Sequence, residues 1–174
     1  PLLSAAVGYN PAIGEGSGTA FFALWWATVI NKQDPRAIRA VDNYHETFQS
    51  YIFNNGWTGV HNAKIYRGNN ALMWLRNFQR TDVIIDETVF SETTNAIWTT
   101  PAIAAHGSYI SNLTQMLIDP DNDTVVDVFP AVPDEWEYKQ IGFEGLMPSG
   151  ALSLTASRNI DGAKVVIENT ANTE

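Results

Sequence analysis

Asp119-Pro120-Asp121-Asn122-Asp123 divides the chain, because the spacing of apolar residues changes across it. Before this stretch apolar residues recur at three- and four-residue steps, the period of a helix. After it they alternate with polar residues, the period of a strand. On the later side Val126 and Val128 flank Asp127, Leu152 and Leu154 alternate with Ser153 and Thr155, and Val165 and Ile167 bracket Val166. Asp161-Gly162, between the last two runs, predicts a tight hairpin whose turn needs residues tolerant of positive φ. The order is therefore mainly α followed by β: a helical part over residues 1–120 and a small antiparallel β unit over residues 121–174. The dividing stretch itself reads as a helix-to-strand turn. Asp119, Asp121 and Asp123 match the beginning of a calcium loop, but Thr124 stands where that loop needs glycine and Pro130 where it needs glutamate.

Working back toward the N-terminus, the helices can be placed one by one. Pro101 to Ile118 carries Ile103, Ile110, Leu113, Met116 and Leu117 as an apolar set, after an irregular stretch from Arg80 to Thr100. Ala71, Leu72, Trp74, Leu75 and Phe78 form a shorter helix, joined through a Gly68-Asn69-Asn70 turn to another one over Val60, Ala63, Ile65 and Tyr66. Asn54-Asn55-Gly56-Trp57-Thr58-Gly59 reads as a break. Asp34 before Pro35 is an N-cap with proline at the first helical position, and Ile38, Val41, Tyr44, Phe48, Tyr51 and Ile52 then predict an amphipathic helix. From Ser17 to Asn31, Phe21, Phe22, Leu24, Trp25, Trp26, Val29 and Ile30 cover every side of a helix, which predicts burial all round.

Composition bounds the function. With 174 residues, 45% of them hydrophobic and only 17% charged, the chain is a packed protein of one domain, or a domain with a small appendage, and not a disordered one. Ten Lys+Arg against nineteen Asp+Glu give a net charge of −9, which repels phosphate backbones and anionic lipid, so no nucleic-acid partner is expected. The apolar run Ala20 to Ile30 is too short for a membrane span, which needs about 20 residues. No membrane partner is expected. Cysteine is absent, which excludes disulfides, thiolate metal sites and cysteine nucleophiles. Three histidines without cysteine make no zinc constellation, and the chain has no Gly-rich phosphate loop, Walker sequence or Gly-x-Ser-x-Gly elbow. Neither a metal nor a cofactor is expected.

The connections suggest where a site would lie. Asn31 to Asp34 and Arg67 to Asn69 are short, as between antiparallel neighbours, and should share one end. Pro1 to Gly16, Asn54 to Thr58 and Arg80 to Thr100 are longer or richer in polar and aromatic residues, and alternation puts them at the other end, with Glu15, Trp57, His61 and the loop around Glu92.

Helical hairpins whose richer loops share one end are similar to part of an (α/α)6 toroid. The order of Gly56-Trp57-Thr58-Gly59, Arg67-Gly68-Asn69-Asn70-Ala71-Leu72, Glu92-Thr93, Gln115-Met116-Leu117 and Val128-Phe129-Pro130-Ala131-Val132-Pro133-Asp134-Glu135-Trp136 resembles the C-terminal end of glycoside hydrolase family 95 and its relatives. Phe143-Glu144-Gly145-Leu146 followed by Gly150-Ala151-Leu152 is similar to the start of their closing β domain. The resemblance implies a partial toroid followed by a β domain, an inverting glycosidase acting on an oligo- or polysaccharide, and a missing N-terminal segment or partner chain that completes the ring. The Asp-Gly-Asn stretch of the fucosidases is absent, and Thr93 to Asn95 stands roughly in its place.

Glycoside transfer needs two carboxyl groups across the scissile bond. Glu92 and Glu15 are the only glutamates in the three longer connections apart from Glu87, so Glu92 is the candidate base or base-orienting residue and Glu15 the candidate acid, with Trp57, His61, Asn95, Trp98 and His106 as candidate sugar-binding residues. Each has a plainer alternative. Glu15, beside Gly16-Ser17-Gly18, also suits a helix N-terminus by its charge, and Glu92 a solvated loop. Trp57 and Trp98 serve as core plugs as readily as sugar platforms. His61 and His106 fit helix histidines satisfied by their surroundings. A sugar phosphorylase on the same scaffold and a non-catalytic carbohydrate-binding or structural unit are the competing functions. Asn112-Leu113-Thr114 is a glycosylation sequon by pattern, but its position on a helix makes it a poor acceptor.

Overall fold

The computed structural model describes residues 31–47, 52–78, 84–85, 89–90, 102–122, 125–137, 139–146, 152–159 and 161–169. Residues 17–30 of the expected first helix lie outside them. Helices dominate up to Leu117 and antiparallel sheets follow, as the change of period predicts, except that one two-stranded sheet precedes the last helix.

Helix α1, Pro35–Thr47, starts where the sequence places it. The Asp34 carboxylate accepts a hydrogen bond from the Arg36 backbone N–H at 2.8 Å, and the Asp34 carbonyl accepts from Ala37 and Ile38. Ala37 and Val41, one turn apart, are buried.

The next helix corrects the sequence reading. The break expected at Asn54–Gly59 does not occur, because α2 runs from Ile52 to Lys64 straight through it. Both glycines of that stretch serve packing against α4, Ile103–Leu117. A Cβ on Gly56 would lie 2.4 Å from Ser108 Oγ and 2.5 Å from the Ser108 carbonyl carbon, and one on Gly59 would lie 2.0 Å from Asn112 Nδ2. The close approach repays the weak helix propensity of glycine. Since Gly56 meets Ser108 and Gly59 meets Asn112, α2 and α4 run parallel. Gly56→Ala is therefore expected to lower stability by about 1–3 kcal/mol, despite the better helix propensity of alanine, because the Ser108 backbone cannot move aside. Chemical denaturation measures this; a stabilised variant would show that the crossing is loose.

The turn after α2 also differs from expectation. Tyr66 takes a positive φ of 64°, Tyr66 N–H donates to the Ala63 carbonyl at 2.9 Å and Arg67 N–H to the Asn62 carbonyl at 2.8 Å, which is a Schellman ending. Gly68-Asn69-Asn70, expected to be the turn, is the first turn of α3, Gly68–Asn77. Gly68 is small for a different reason: its Cβ would lie 2.6 Å from the Val132 carbonyl and 2.7 Å from the Ala131 carbonyl oxygen. α3 runs back alongside α2 and buries Ala71, Leu72, Trp74 and Leu75.

Within the stretch expected to be irregular, β1 (Ile84–Ile85) and β2 (Val89–Phe90) pair antiparallel. Phe90 joins Phe78 and Tyr109 in an aromatic cluster with ring centroids 5.1–5.5 Å apart. Together with buried Phe78, Ala102 and Ala105 these rings form one core; Ala63, Ala71, Leu72, Leu75, Met116 and Ala131 form the other.

After α4 the chain turns extended at Ile118 at once, so the stretch expected to be a turn is strand β3, Ile118–Asn122. It pairs antiparallel with β4, Val125–Val128, with a register shift between Pro120 and Asn122 that accommodates the proline. The chain then folds back: Phe129 N–H donates to the Leu117 carbonyl at 2.7 Å and Ala131 N–H to the Met116 carbonyl at 3.3 Å. A short 3-10 turn, Asp134–Trp136, leads to a three-stranded antiparallel sheet of β5 (Ile141–Leu146), β6 (Leu152–Asn159) and β7 (Gly162–Asn169) in the order β5-β6-β7. The Asp161-Gly162 hairpin forms as expected, with Gly162 at φ 138° and Asp161 N–H donating to Asn159 Oδ1.

Candidate functional site

The two candidate catalytic carboxylates, Glu15 and Glu92, and two candidate sugar ligands, Asn95 and Trp98, lie outside the described residues. The anchor of the segment that carries three of them is described. Ala102 N–H donates to the Phe90 carbonyl at 2.9 Å, so the chain leaves and re-enters at one point, at the N-terminal end of α4. His106 is part of this anchor. Its Nε2 accepts from the Phe90 N–H at 3.4 Å, which puts the proton on Nδ1, 2.9 Å from the Ala102 carbonyl oxygen. Both ring nitrogens are thus engaged by backbone.

Trp57 and His61 stand one turn apart on α2, not in a connection. Trp57 is half-buried. His61 is only 2% exposed, and burial, followed by the positive charge of Lys64, pushes its pKa down to about 3, so the ring is neutral near pH 7. Asn112 is fully buried and donates to the Ala71 carbonyl at 3.1 Å, which agrees with its reading as a poor glycan acceptor.

At the other end of α4 is a charged cluster that the sequence did not reveal. Asp119 and Asp127 face each other across β3 and β4, an unfavourable pairing of like charges. Two lysines resolve it. Lys64 Nζ at the end of α2 is 2.8 Å from Asp119 Oδ1, and Lys32 Nζ, just before α1, is 3.2 Å from Asp119 Oδ2 and also hydrogen-bonded to Asp127. The Tyr66 hydroxyl donates to Asp127 Oδ2 at 2.9 Å, and Lys32 Nζ sits 5.2 Å from the Tyr66 ring centroid. Burial works against the charge of Lys32, but the Asp127 hydrogen bond and the Asp119 charge outweigh it and raise its pKa. The hydrogen bond from Lys32 holds Asp127 below the usual carboxylate range against partial burial, and burial with the Asp127 contact raises Tyr66. The cluster ties the segment before α1, the end of α2 and the β3–β4 hairpin together. Only the alternation around Asp127 and the apolar neighbours of Lys64 hinted at it.

Beside the cluster opens a polar cleft of about 330 Å³, lined by Tyr66 to Asn70, Val132 and Asp134. Asn69 and Asp134 clasp across it: Asn69 Nδ2 donates to Asp134 Oδ2 at 2.8 Å, and Asp134 N–H donates to Asn69 Oδ1 at 2.9 Å. Arg67 pairs with Asp42 of α1. Thus the motifs around Arg67-Gly68-Asn69-Asn70 and Pro130 to Trp136, far apart in sequence, form one piece of structure, at the end opposite the Phe90–Ala102 anchor.

Among the described residues no group of three His, Cys, Asp or Glu side chains could hold a metal ion, and no helix is long and apolar enough to cross a membrane. No protein family model matches the chain, and no curated protein matches it.

Proposed function

We propose that the chain is the C-terminal part of a six-hairpin glycoside hydrolase, a segment of an (α/α)6 toroid with a closing β unit, that cleaves oligo- or polysaccharides with inversion. The observation that carries this reading is the packing of α2 parallel to α4 with α3 antiparallel between them in sequence, the alternation a helical toroid requires. Ile103 and Ile110 support it: two turns apart on α4, they are 81% and 63% exposed, as expected of a face covered by the next hairpin of the ring. That hairpin would come from a further segment or a partner chain. Glu92 follows the anchored Phe90 by two residues and would serve as base, with Glu15 as acid.

The test uses protein isolated from its native source, offered fucosylated oligosaccharides, glucans and xylans, with released reducing ends measured and the first-formed anomer read by NMR. Cleavage with inversion is expected, and Glu92→Gln should lower turnover by about 10²-fold or more at unchanged thermal midpoint. An undiminished rate removes Glu92 from its role. No release from any glycan overturns the hydrolase reading.

A further inference from the structure

The cleft at the α2–α3 turn lies at the wrong end of the helices to belong to the proposed catalytic loops, yet it is a built feature. Its volume of about 330 Å³ falls in the lower range of small-molecule sites, about 300–1,000 Å³. Its walls come from elements that cannot move independently. Gly68 is seated against the Ala131 and Val132 carbonyls, and Asn69 is clasped twice to Asp134. Tyr66, 44% exposed, is fixed at its hydroxyl by Asp127 and over its ring by Lys32.

We propose that this cleft is a binding subsite for a neutral sugar, a pyranose unit of a glycan, separate from the catalytic loops. Three features select that chemistry. The fixed Tyr66 ring, 44% exposed with Lys32 over one face, has its opposite face for the apolar C–H side of a pyranose. Asn69, clasped to Asp134, keeps a second amide N–H; Asn70, whose Nδ2 donates to Asn62 Oδ1 at 3.3 Å, keeps a second N–H and its Oδ1; and Asp134 keeps Oδ1, so donors and acceptors are mixed as sugar hydroxyls demand. Among the lining residues no cation is left over for an anion: Arg67 is paired with Asp42, Asp134 adds a negative charge, and the whole chain carries −9. α3 opens on this cleft with no side-chain cap, so its first-turn N–H groups remain as further donors to a neutral oxygen. A second cleft of similar size among the described residues, at the Asn159–Gly162 hairpin, is lined by the hairpin and Gln140 and has no aromatic ring.

The subsite stands on this lining and not on the hydrolase reading. The purified chain is titrated with glucose, galactose, xylose, cellobiose and maltose, and separately with inorganic phosphate, while amide NMR shifts are followed. Saturable shifts at Tyr66 to Asn70 and Asp134 are expected for at least one sugar, with a Kd of about 1 mM, and a tighter disaccharide would mark a glycan over a free monosaccharide. Tyr66→Gly, which suits φ 64° and keeps the turn, should weaken binding at least about tenfold, as should Asn70→Ala, while Tyr66→Phe should retain it. Phosphate binding in place of sugar, no saturable shift, or shifts unaffected by Tyr66→Gly would each overturn the proposal. Sugar binding here, with no glycan cleaved by the protein isolated from its native source, would leave the subsite standing and remove the hydrolase.

Discussion

Replacing Asp119 by alanine is expected to destabilise the fold by about 3–5 kcal/mol, the cost of removing one partner from a buried ion pair. The side chain of Asp119 is wholly inaccessible, and Lys64 and Lys32 are only 9% and 12% exposed. Without Asp119 the cluster carries two lysines against the single Asp127, and Lys64 has lost the carboxylate 2.8 Å away. The charge would either stay buried and unpaired or drag the end of α2 toward water. Equilibrium urea denaturation of Asp119→Ala measures the cost, and Asp119→Asn should recover little, because the amide restores shape without charge. A loss under about 1 kcal/mol would show that water screens the pair as it does on a surface.

His61 makes the second large effect, and it is a dependence on pH. The folded chain holds this ring neutral down to about pH 3, whereas an unfolded histidine takes up a proton near pH 6.5. Between those values the unfolded state binds the extra proton. Stability is therefore full above about pH 6.5 and falls by about 1.4 kcal/mol for each pH unit below it, down to about pH 3. Asp127 contributes in a lower window: its folded pKa is depressed, so its stabilisation is lost only as pH falls below the ordinary carboxylate range. Denaturation midpoints measured from pH 7.5 to 5 isolate the histidine. The wild-type chain should weaken steadily below pH 6.5, and His61→Leu should be flat there. A flat wild-type profile would mean that water reaches the ring.

The hairpin at Asp161-Gly162, the helix start at Asp34-Pro35 and, to within one residue, the helix end expected at Ile118 were all legible, because each is set by residues within one turn of the chain. The errors share a cause. Gly56 and Gly59 read as a break and Asp119 to Asn122 as a turn, since glycine, aspartate and proline carry those local preferences. In the folded chain the glycines admit α4, and Asp119 is neutralised by lysines 55 and 87 residues away. Of the proposed site, the sequence named Trp57, His61 and His106; the burial of His61 and the backbone contacts of His106 depend on neighbours no local pattern discloses.

By itself, then, the sequence determined that a mainly helical part precedes a β part, the position where the period changes, and the absence of cysteine chemistry, because periodicity and composition are properties of the chain alone. Only the tertiary structure decided which glycines close a helix pair, which carboxylates are buried against lysine, and that the Arg67 to Asn70 turn meets Val132 and Asp134 in one cleft. Those are pairings across long sequence separations, fixed by space-filling and charge neutralisation, and neither leaves a local signature.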